Sequence, residues 1–388
     1  MTVLFEFLGN EPIENVITCM NFNIDKVIFF GYHNVIEHKR ASTELFLKKY
    51  CGVKKVVFWE LSQDDLQSII KTMQAEIERE IARDSRMYFD ITGGESLILV
   101  AFGILAVRFN TPMHVYDVVN NKLTELDDCS QSKISNELEV KRITFNLDQF
   151  IELQGGMINN FLHKELKNIE NNAFTDDVAK IWEVAKRHWS LWNPFSDFLK
   201  RHMIPNENLY VSRRASVIVN KLRESDNKLD TPNKLNRILD DLSEMGAIKK
   251  LKHIDGRYEF SFKNEQIKDL LWEGGSILEL HTYQRERKKY DDCRIGVHLD
   301  WDGVIQDTPS DDVINEIDVL ALKGNVLVFI SCKSGKMNAQ QSLHALYELD
   351  CVAKRFGGKY ARMVLVTAQP MSAASMLRAK EMNIEVLQ

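Results

Sequence analysis

The sequence predicts an α/β protein in three parts: an N-terminal Rossmann-like doubly wound domain, a helical and winged-helix-like connector, and a C-terminal α/β domain with a mixed sheet. Three observations predict it. Strand-like and helix-like stretches alternate through residues 1–145. The chain turns helical and polar through 146–265. Strand-like runs then return in 266–388, two of them joined by a Gly-Asn turn. Repeated strand–helix units specify a parallel sheet with helices on both faces.

In the first part, "VLFEFLG" precedes helical "ENVITCMNF", "KVIFFG" precedes "STELFLKKYCG", and "KVVFWEL" precedes "DDLQSIIKTMQAEIEREIARDS". "MYFDITGG" then leads into "ESLILVAFGILAVRFN" and "MHVYDVV". These strands are continuous apolar runs, as expected where helices cover both faces of a sheet. The run "SLILVAFGILAV" is too short to cross a bilayer and reads as a buried helix. In the middle, "FIELQGGMINNFLHKELKNIENN" and "DDVAKIWEVAKRHWS" read as helices. "TPNKLNRILDDLSEMGAIKKLKHIDGRYEFSF" reads as a helix, a Gly stop and a hairpin turning at Asp255-Gly256. That winged pattern serves better as a connector than as a DNA reader, because "LNRILDDLSEM" is acidic and faces phosphates poorly. In the last part, "GGSILELHTYQRERKK" is a helix, "RIGVHLDWDG" a strand, "INEIDVLALKGNVLVFISCKSG" a hairpin, "NAQQSLHALYELDCVAKRFGG" a helix and "RMVLVTA" a strand.

The chain has 388 residues, of which 44% are hydrophobic and 27% charged, the balance of a globular protein with several cores. A formal net charge of −6 carries no global nucleic-acid signature. Six cysteines without a C-x-x-C pair fit a reducing cytosol and argue against a zinc site or a disulfide framework. The N-terminus lacks the basic-then-apolar pattern of a signal peptide. The expectation is a cytoplasmic protein with no membrane partner.

Alternation along a strand puts Glu316, Asp318 and Leu320 on one side, and Ser331 and Lys333 on one side of the next strand. If these faces coincide, Asp318 and Lys333 converge with Glu316 and Ser331 beside them. Glu279, among apolar neighbours in "ILEL", is expected to turn inward. Converging carboxylates suit a hard cation such as Mg²⁺ or Mn²⁺. A neighbouring lysine stabilises the charge of a phosphoryl transition state. From Ser331 to Arg362 there are six Lys/Arg and two acids, a local basic surplus.

The order helix-Glu, strand-Asp, then x-x-Lys resembles the PD-(D/E)xK restriction-endonuclease superfamily. Glu279, Asp318 and Lys333 match its helix Glu, motif Asp and motif Lys. Ser331 stands where that motif usually has an acid, which gives Glu316 a compensating role and the carbonyl of Cys332 a place as a ligand. The resemblance implies a metal-dependent endonuclease acting on DNA, RNA or both, with Glu279, Asp318 and Cys332 as metal ligands.

The first strand ends in "LGNEPIEN" and the fourth in "DITGGES", both at the carboxyl edge of the sheet and both entering helices. Such turns let a backbone and a helix N-terminus approach an anion. No dinucleotide fingerprint or Walker loop accompanies them. The pair resembles the CARF domain, which senses cyclic oligoadenylates in type III CRISPR systems, with Glu95-Ser96 in place of its usual Thr-Lys. The resemblance implies a homodimer with cyclic tetraadenylate as activator, held by Gly9, Asn10, Glu11, Thr92, Gly93, Gly94 and Glu95. Such a sensor is expected to act on the nuclease from about a domain and a connector away. The competing readings are a ligand-responsive winged-helix DNA-binding regulator with a degenerate nuclease fold, and a scaffold protein.

Overall fold

The computed structural model describes the 388-residue chain except residues 63–64, 127–134, 139–144, 161–168, 170, 207, 226–227, 254–255 and 305–312, with 135–138 described by backbone alone. Its N-terminal part runs β1 (Thr2–Phe7), α1 (Ile17–Asn21), β2 (Lys26–Gly31), α2 (His33–Tyr50), β3 (Lys55–Glu60), α3 (Leu66–Ile81), β4 (Arg86–Asp90), α4 (Ser96–Phe109) and β5 (Met113–Asp117). The antiparallel strands β6 (Lys122–Leu126) and β7 (Ser135–Leu138) follow. Sheet order is β3-β2-β1-β4-β5-β6-β7, parallel through β5. This is the doubly wound sheet that the apolar strands predict. The antiparallel edge was not anticipated, because "KLTEL" alternates polar and apolar residues too briefly to stand out.

Phe5, Phe30, Phe89 and Phe102 fill the core under α3 and α4. Helix α4 is only half buried, contrary to the expectation of a buried helix. Ile98, Ala101, Phe102 and Leu105 face that core, whereas Leu97, Val100, Ile104 and Val107 form an exposed stripe at helical spacing, Val107 being 69% exposed. No helix among the described residues is long and apolar enough to cross a membrane.

The middle part contains α5 (Leu147–Leu153), β8 (Met157–Ile158), α6 (Asn172–Arg187), α7 (Trp189–His202), β9 (Tyr210–Arg214), α8 (Ala215–Arg223), α9 (Pro232–Glu244), β10 (Ile248–Lys252) and β11 (Arg257–Phe262). The wing is three-stranded, β10-β11-β9, one strand more than the hairpin expected. Gly246, with φ +78°, ends α9 as the Gly stop predicts. Of the expected turn, Asp255 lies outside the described residues, and Gly256 has φ +69°. The stretch read as one helix from Phe150 breaks at Gly155, where φ is +78°, and Met157–Ile158 becomes a strand.

The C-terminal part runs α10 (Glu265–Trp272), α11 (Ser276–Glu286), β12 (Asp292–Asp300), β13 (Ile314–Lys323), β14 (Val326–Lys333), α12 (Ala339–Gly357), β15 (Arg362–Thr367), α13 (Ala373–Glu381) and β16 (Ile384–Leu387). Its sheet, β16-β15-β14-β13-β12-β8, is mixed, with parallel β14-β15-β16 and antiparallel β8, β12 and β13. Strand β8, from the stretch expected to be connector, is its edge.

One buried cluster joins Leu4, Phe29 and Phe46 of the N-terminal part to Phe150, to Phe329 of β14 and to Leu346 and Phe356 of α12. The N-terminal and C-terminal parts therefore pack directly on one another. Arg355 of α12 ties the segment after α5 to the end of β12: its guanidinium donates to the carbonyls of Gln154 (2.7 Å) and Trp301 (2.5 Å). Asn325, at the β13–β14 turn, donates to the Tyr116 hydroxyl at 3.1 Å.

Candidate active site and ligand turns

The β13–β14 ladder stops at Val319–Ile330. Beyond it, the Asp318 carboxylate takes the place of a backbone acceptor. Its Oδ2 accepts the Cys332 N–H at 2.5 Å and the Ser331 hydroxyl at 3.2 Å. Opposite Asp318, between the pairs Ile295–Val319 and Val297–Ile317, stands Gly296 with φ +61°. Strict alternation fails at this point. Val319 packs in one core while Ile317 and Leu320 pack in the other, so Leu320 is wholly buried and Asp318 is not.

Glu279, one turn into α11, folds back toward its own N-terminus. A Cβ placed on Gly275 would stand 3.4 Å from Glu279 Oε1 and 3.8 Å from Ser334 Oγ, so the carboxylate and the residue after Lys333 flank the same glycine. Burial pushes the Glu279 carboxyl up to about 7, the charges of Asp318 and Glu316 add to the rise, and Lys333 opposes it. Burial also raises Asp318, against the Cys332 amide, the charge of Lys333 and the Ser331 hydroxyl. Glu316, Asp318 and Lys333 thus all bear on the charge of Glu279. Glu316 is the exposed member, with 58% of its side chain open and His298 3.9 Å away across the ladder. Cys332 buries its thiol, which burial drives well above its ordinary pKa.

Among the described residues, no group of three or more His, Cys, Asp or Glu side chains is arranged to hold a metal ion. The donor set nonetheless suits a hard divalent cation. Buried carboxylates at Glu279 and Asp318, facing a third acid at Glu316, carry a like-charge repulsion that such a cation relieves, with water completing its shell.

Four of the six cations of the basic surplus have partners of their own. Lys354 pairs with Asp350 (2.9 Å), Lys359 with Glu14 (2.7 Å) and Arg362 with Glu385 (3.5 Å), while Arg355 holds carbonyls. Gln341 is likewise committed, forming a capping box with Asn338 at the start of α12.

The cleft at Glu279 and Glu316 has a volume of about 560 Å³. Its other wall is α7, through Asn193, Ser196, Asp197 and Lys200. Sequence reading missed this wall, since nothing in "WNPFSDFLKRH" signals a site more than a hundred residues away.

The two N-terminal turns lie side by side because β1 pairs with β4. Asn15 clamps the first, accepting the Gly9 N–H (3.0 Å) and donating to the Gly9 carbonyl (3.1 Å). Asn10 is exposed, and Glu11 is turned away to accept the Lys359 N–H at 3.0 Å. In the second turn, Thr92 donates its N–H to Asp90 (2.7 Å), and its hydroxyl accepts the Tyr116 N–H (3.0 Å). A Cβ on Gly93 would meet Glu14 Oε2 at 2.7 Å. Gly94 has φ +140°, a region closed to other residues. Glu95 precedes α4 and accepts from the Tyr32 hydroxyl at 3.1 Å. Beneath the turns, Glu6 and Asp90 are cross-strand neighbours and fully buried, and burial raises both carboxyls.

Glu14, which the sequence did not single out, is 4% exposed and touches both the second turn and the C-terminal part. It pairs with Lys359 Nζ and accepts from the Tyr360 hydroxyl. The expectation of a sensor standing a domain and a connector away is therefore corrected: the turns contact the C-terminal part directly.

Residues 267–388 match the Card1-like endonuclease domain family. No curated protein matches the chain. Two solved structures share its whole fold. One is protein VC1899 from Vibrio cholerae, with TM-score 0.70, 19% identity and 100% of this chain covering 93% of that one. The other is Can2 from Sulfobacillus thermosulfidooxidans, solved in complex with cyclic tetra-adenylate, with TM-score 0.68, 14% identity and 100% of this chain covering 95% of that one. The chain shares the whole fold of these two proteins, and its residues 267–388 match the Card1-like endonuclease domain.

Proposed function

We propose that the protein is a metal-dependent nuclease of CRISPR antiviral defence, switched on by cyclic tetraadenylate and hydrolysing phosphodiester bonds of DNA, RNA or both. The observation that supports this reading is that the charges of Asp318 and Lys333 act on Glu279, which with Glu316 lines a cleft beside residues that match a Card1-like endonuclease domain. Glu279 and Asp318 would hold Mn²⁺ or Mg²⁺ with water and the Cys332 carbonyl, and the ion would polarise the scissile phosphate. Lys333 faces the charge that develops there, while Ser331 orients Asp318 through its hydroxyl. Glu316 supplies a further acidic contact at the open rim.

The sensor role is supported by the paired turns and by likeness to a protein whose structure holds cyclic tetra-adenylate. Gly9, Asn10, Thr92, Gly93, Gly94 and Glu95 would receive the ligand, largely through backbone N–H groups. The exposed stripe of α4 beside the second turn fits a homodimer, in which two copies present the same turns to a symmetric ring. Glu11 and Glu14 would report occupancy. They grip Lys359 and Tyr360 just past the end of α12, a 19-residue helix spanning about 28 Å whose other end begins six residues after Lys333. Cleavage of plasmid and single-stranded substrates with and without cyclic tetraadenylate, in Mn²⁺, Mg²⁺ or EDTA, tests the reading. Sequence-specific retention of a duplex without cleavage would select the regulator instead.

A further inference from the structure

The acidic side of the cleft cannot hold a polyanion unaided. Glu273, Glu279 and Glu316 line it, and of the six cations expected nearby Lys354, Arg355, Lys359 and Arg362 are engaged with Asp350, backbone carbonyls, Glu14 and Glu385, which leaves Lys333 and Lys336. The opposite wall is one face of α7, where Asn193, Ser196, Asp197 and Lys200 recur at helical spacing.

That wall is fastened to the site rather than merely near it. Trp189 Nε1 donates to the Ser334 carbonyl at 2.9 Å, and Asn193 Nδ2 donates to Ser334 Oγ at 3.1 Å. Both contacts fall on the residue next to Lys333. Gly274 makes the third fastening: a Cβ there would lie 2.8 Å from Asn193 Oδ1 and 3.2 Å from Asn193 Cα, so α7 approaches as closely as only glycine permits. Trp182 of α6 packs edge-on to Trp189 and stacks on His281, two residues past Glu279, at 4.5 Å. The helix bearing Glu279, the turn after Lys333 and α7 are thus braced as one unit.

On that fixed wall Asp197 is spent on Arg201 at 2.8 Å. Lys200 is exposed and makes no ion pair among the described residues. We infer that α7 is the second wall of the substrate channel and that Lys200 grips a phosphate of the bound strand beside the scissile one. The inference rests on the nuclease reading of this cleft. It assigns substrate contact to the connector, outside the endonuclease domain itself. Lys200 acts in binding and takes no part in bond cleavage.

The test is fluorescence anisotropy with labelled single-stranded DNA and RNA, using the full-length protein with Mn²⁺ and cyclic tetraadenylate. An Asp318→Asn background prevents cleavage. One phosphate contact changes the slope of log affinity against log salt by about 0.7 for single strands, so losing it at about 0.1 M salt weakens binding roughly 5-fold. Lys200→Ala should show that loss and the shallower slope on at least one of the two strands, Lys200→Arg should restore both, and Lys71→Ala, on distant α3, should change neither. In an otherwise wild-type protein, Lys200→Ala should raise KM with kcat unchanged. Unchanged affinity and slope in Lys200→Ala, or a loss that Arg does not restore, would overturn the inference while leaving the nuclease reading standing. Cleavage surviving Asp318→Asn would instead remove the site and this inference with it.

Discussion

Glu14 and Tyr360 are hydrogen-bonded across the seam between the N-terminal and C-terminal parts, although 346 residues separate them in the chain. With the Lys359 ion pair at 2.7 Å, this contact places a carboxylate beside the N-terminal turns in the grip of the C-terminal part. A phosphate arriving at Gly93 would repel Glu14. On the proposed sensor reading, ligand binding and this contact would therefore oppose one another, and linkage would make the opposition reciprocal.

Glu14→Gln and Tyr360→Phe should accordingly raise cleavage without activator. A hydrogen bond to a charged group contributes about 1.5–3 kcal/mol, so the rise should be about 10-fold or more. The same variants should bind cyclic tetraadenylate more tightly. Basal rates and calorimetric affinities check both, and unchanged values in both would remove Glu14 from the switch.

Gly93 tests the ligand turn. A side chain there must displace Glu14 Oε2, which lies 2.7 Å from the position of its Cβ. Gly93→Val should abolish activation and leave the endonuclease domain's metal binding intact. Calorimetry on the native protein should give one cyclic tetraadenylate per dimer. One per monomer, or normal activation of Gly93→Val, would place the ligand elsewhere.

The exposed stripe of α4 gives a separate prediction. Val100→Asp with Val107→Asp should convert a dimer to a monomer in light scattering, because it puts charge into an apolar interface. The fold should survive, since Val100 and Val107 lie outside the core. A doubly substituted protein that stays dimeric would place the interface on another face.

Metal binding can be measured apart from turnover. Saturating Mn²⁺ at about 100 times its Kd stabilises the folded state by about 2.7 kcal/mol. Thermal melts of the wild type should rise with Mn²⁺, and those of Glu279→Gln with Asp318→Asn should not. Equal shifts in both proteins would place the ion elsewhere.

Much of this was legible in the sequence because it is local. Continuous apolar strands announced the parallel sheet, and the Gly-Asn turn announced the hairpin that carries Asp318 and Lys333. What stayed hidden is long-range. Nothing near Glu14 hints at Tyr360, and nothing in α7 hints at Ser334. The basic surplus after Ser331 misled for the same reason, since its partners Glu14 and Glu385 lie in other elements. Period-2 reasoning also failed at Asp318, where Gly296 adopts φ +61° and the ladder to β14 ends.

The central claim is that Asp318 and Lys333 belong to one hydrolytic centre under ligand control. Cleavage by Asp318→Asn, Lys333→Ala and the wild type should be compared in Mn²⁺, with and without cyclic tetraadenylate. Asp318→Asn should fold normally, since Asn keeps an oxygen for the Cys332 N–H, yet lose nearly all activity. Lys333→Ala should turn over about 10²-fold more slowly. The wild type should cut only with the activator and stop in EDTA. Activity that persists in EDTA or in Asp318→Asn would contradict the account.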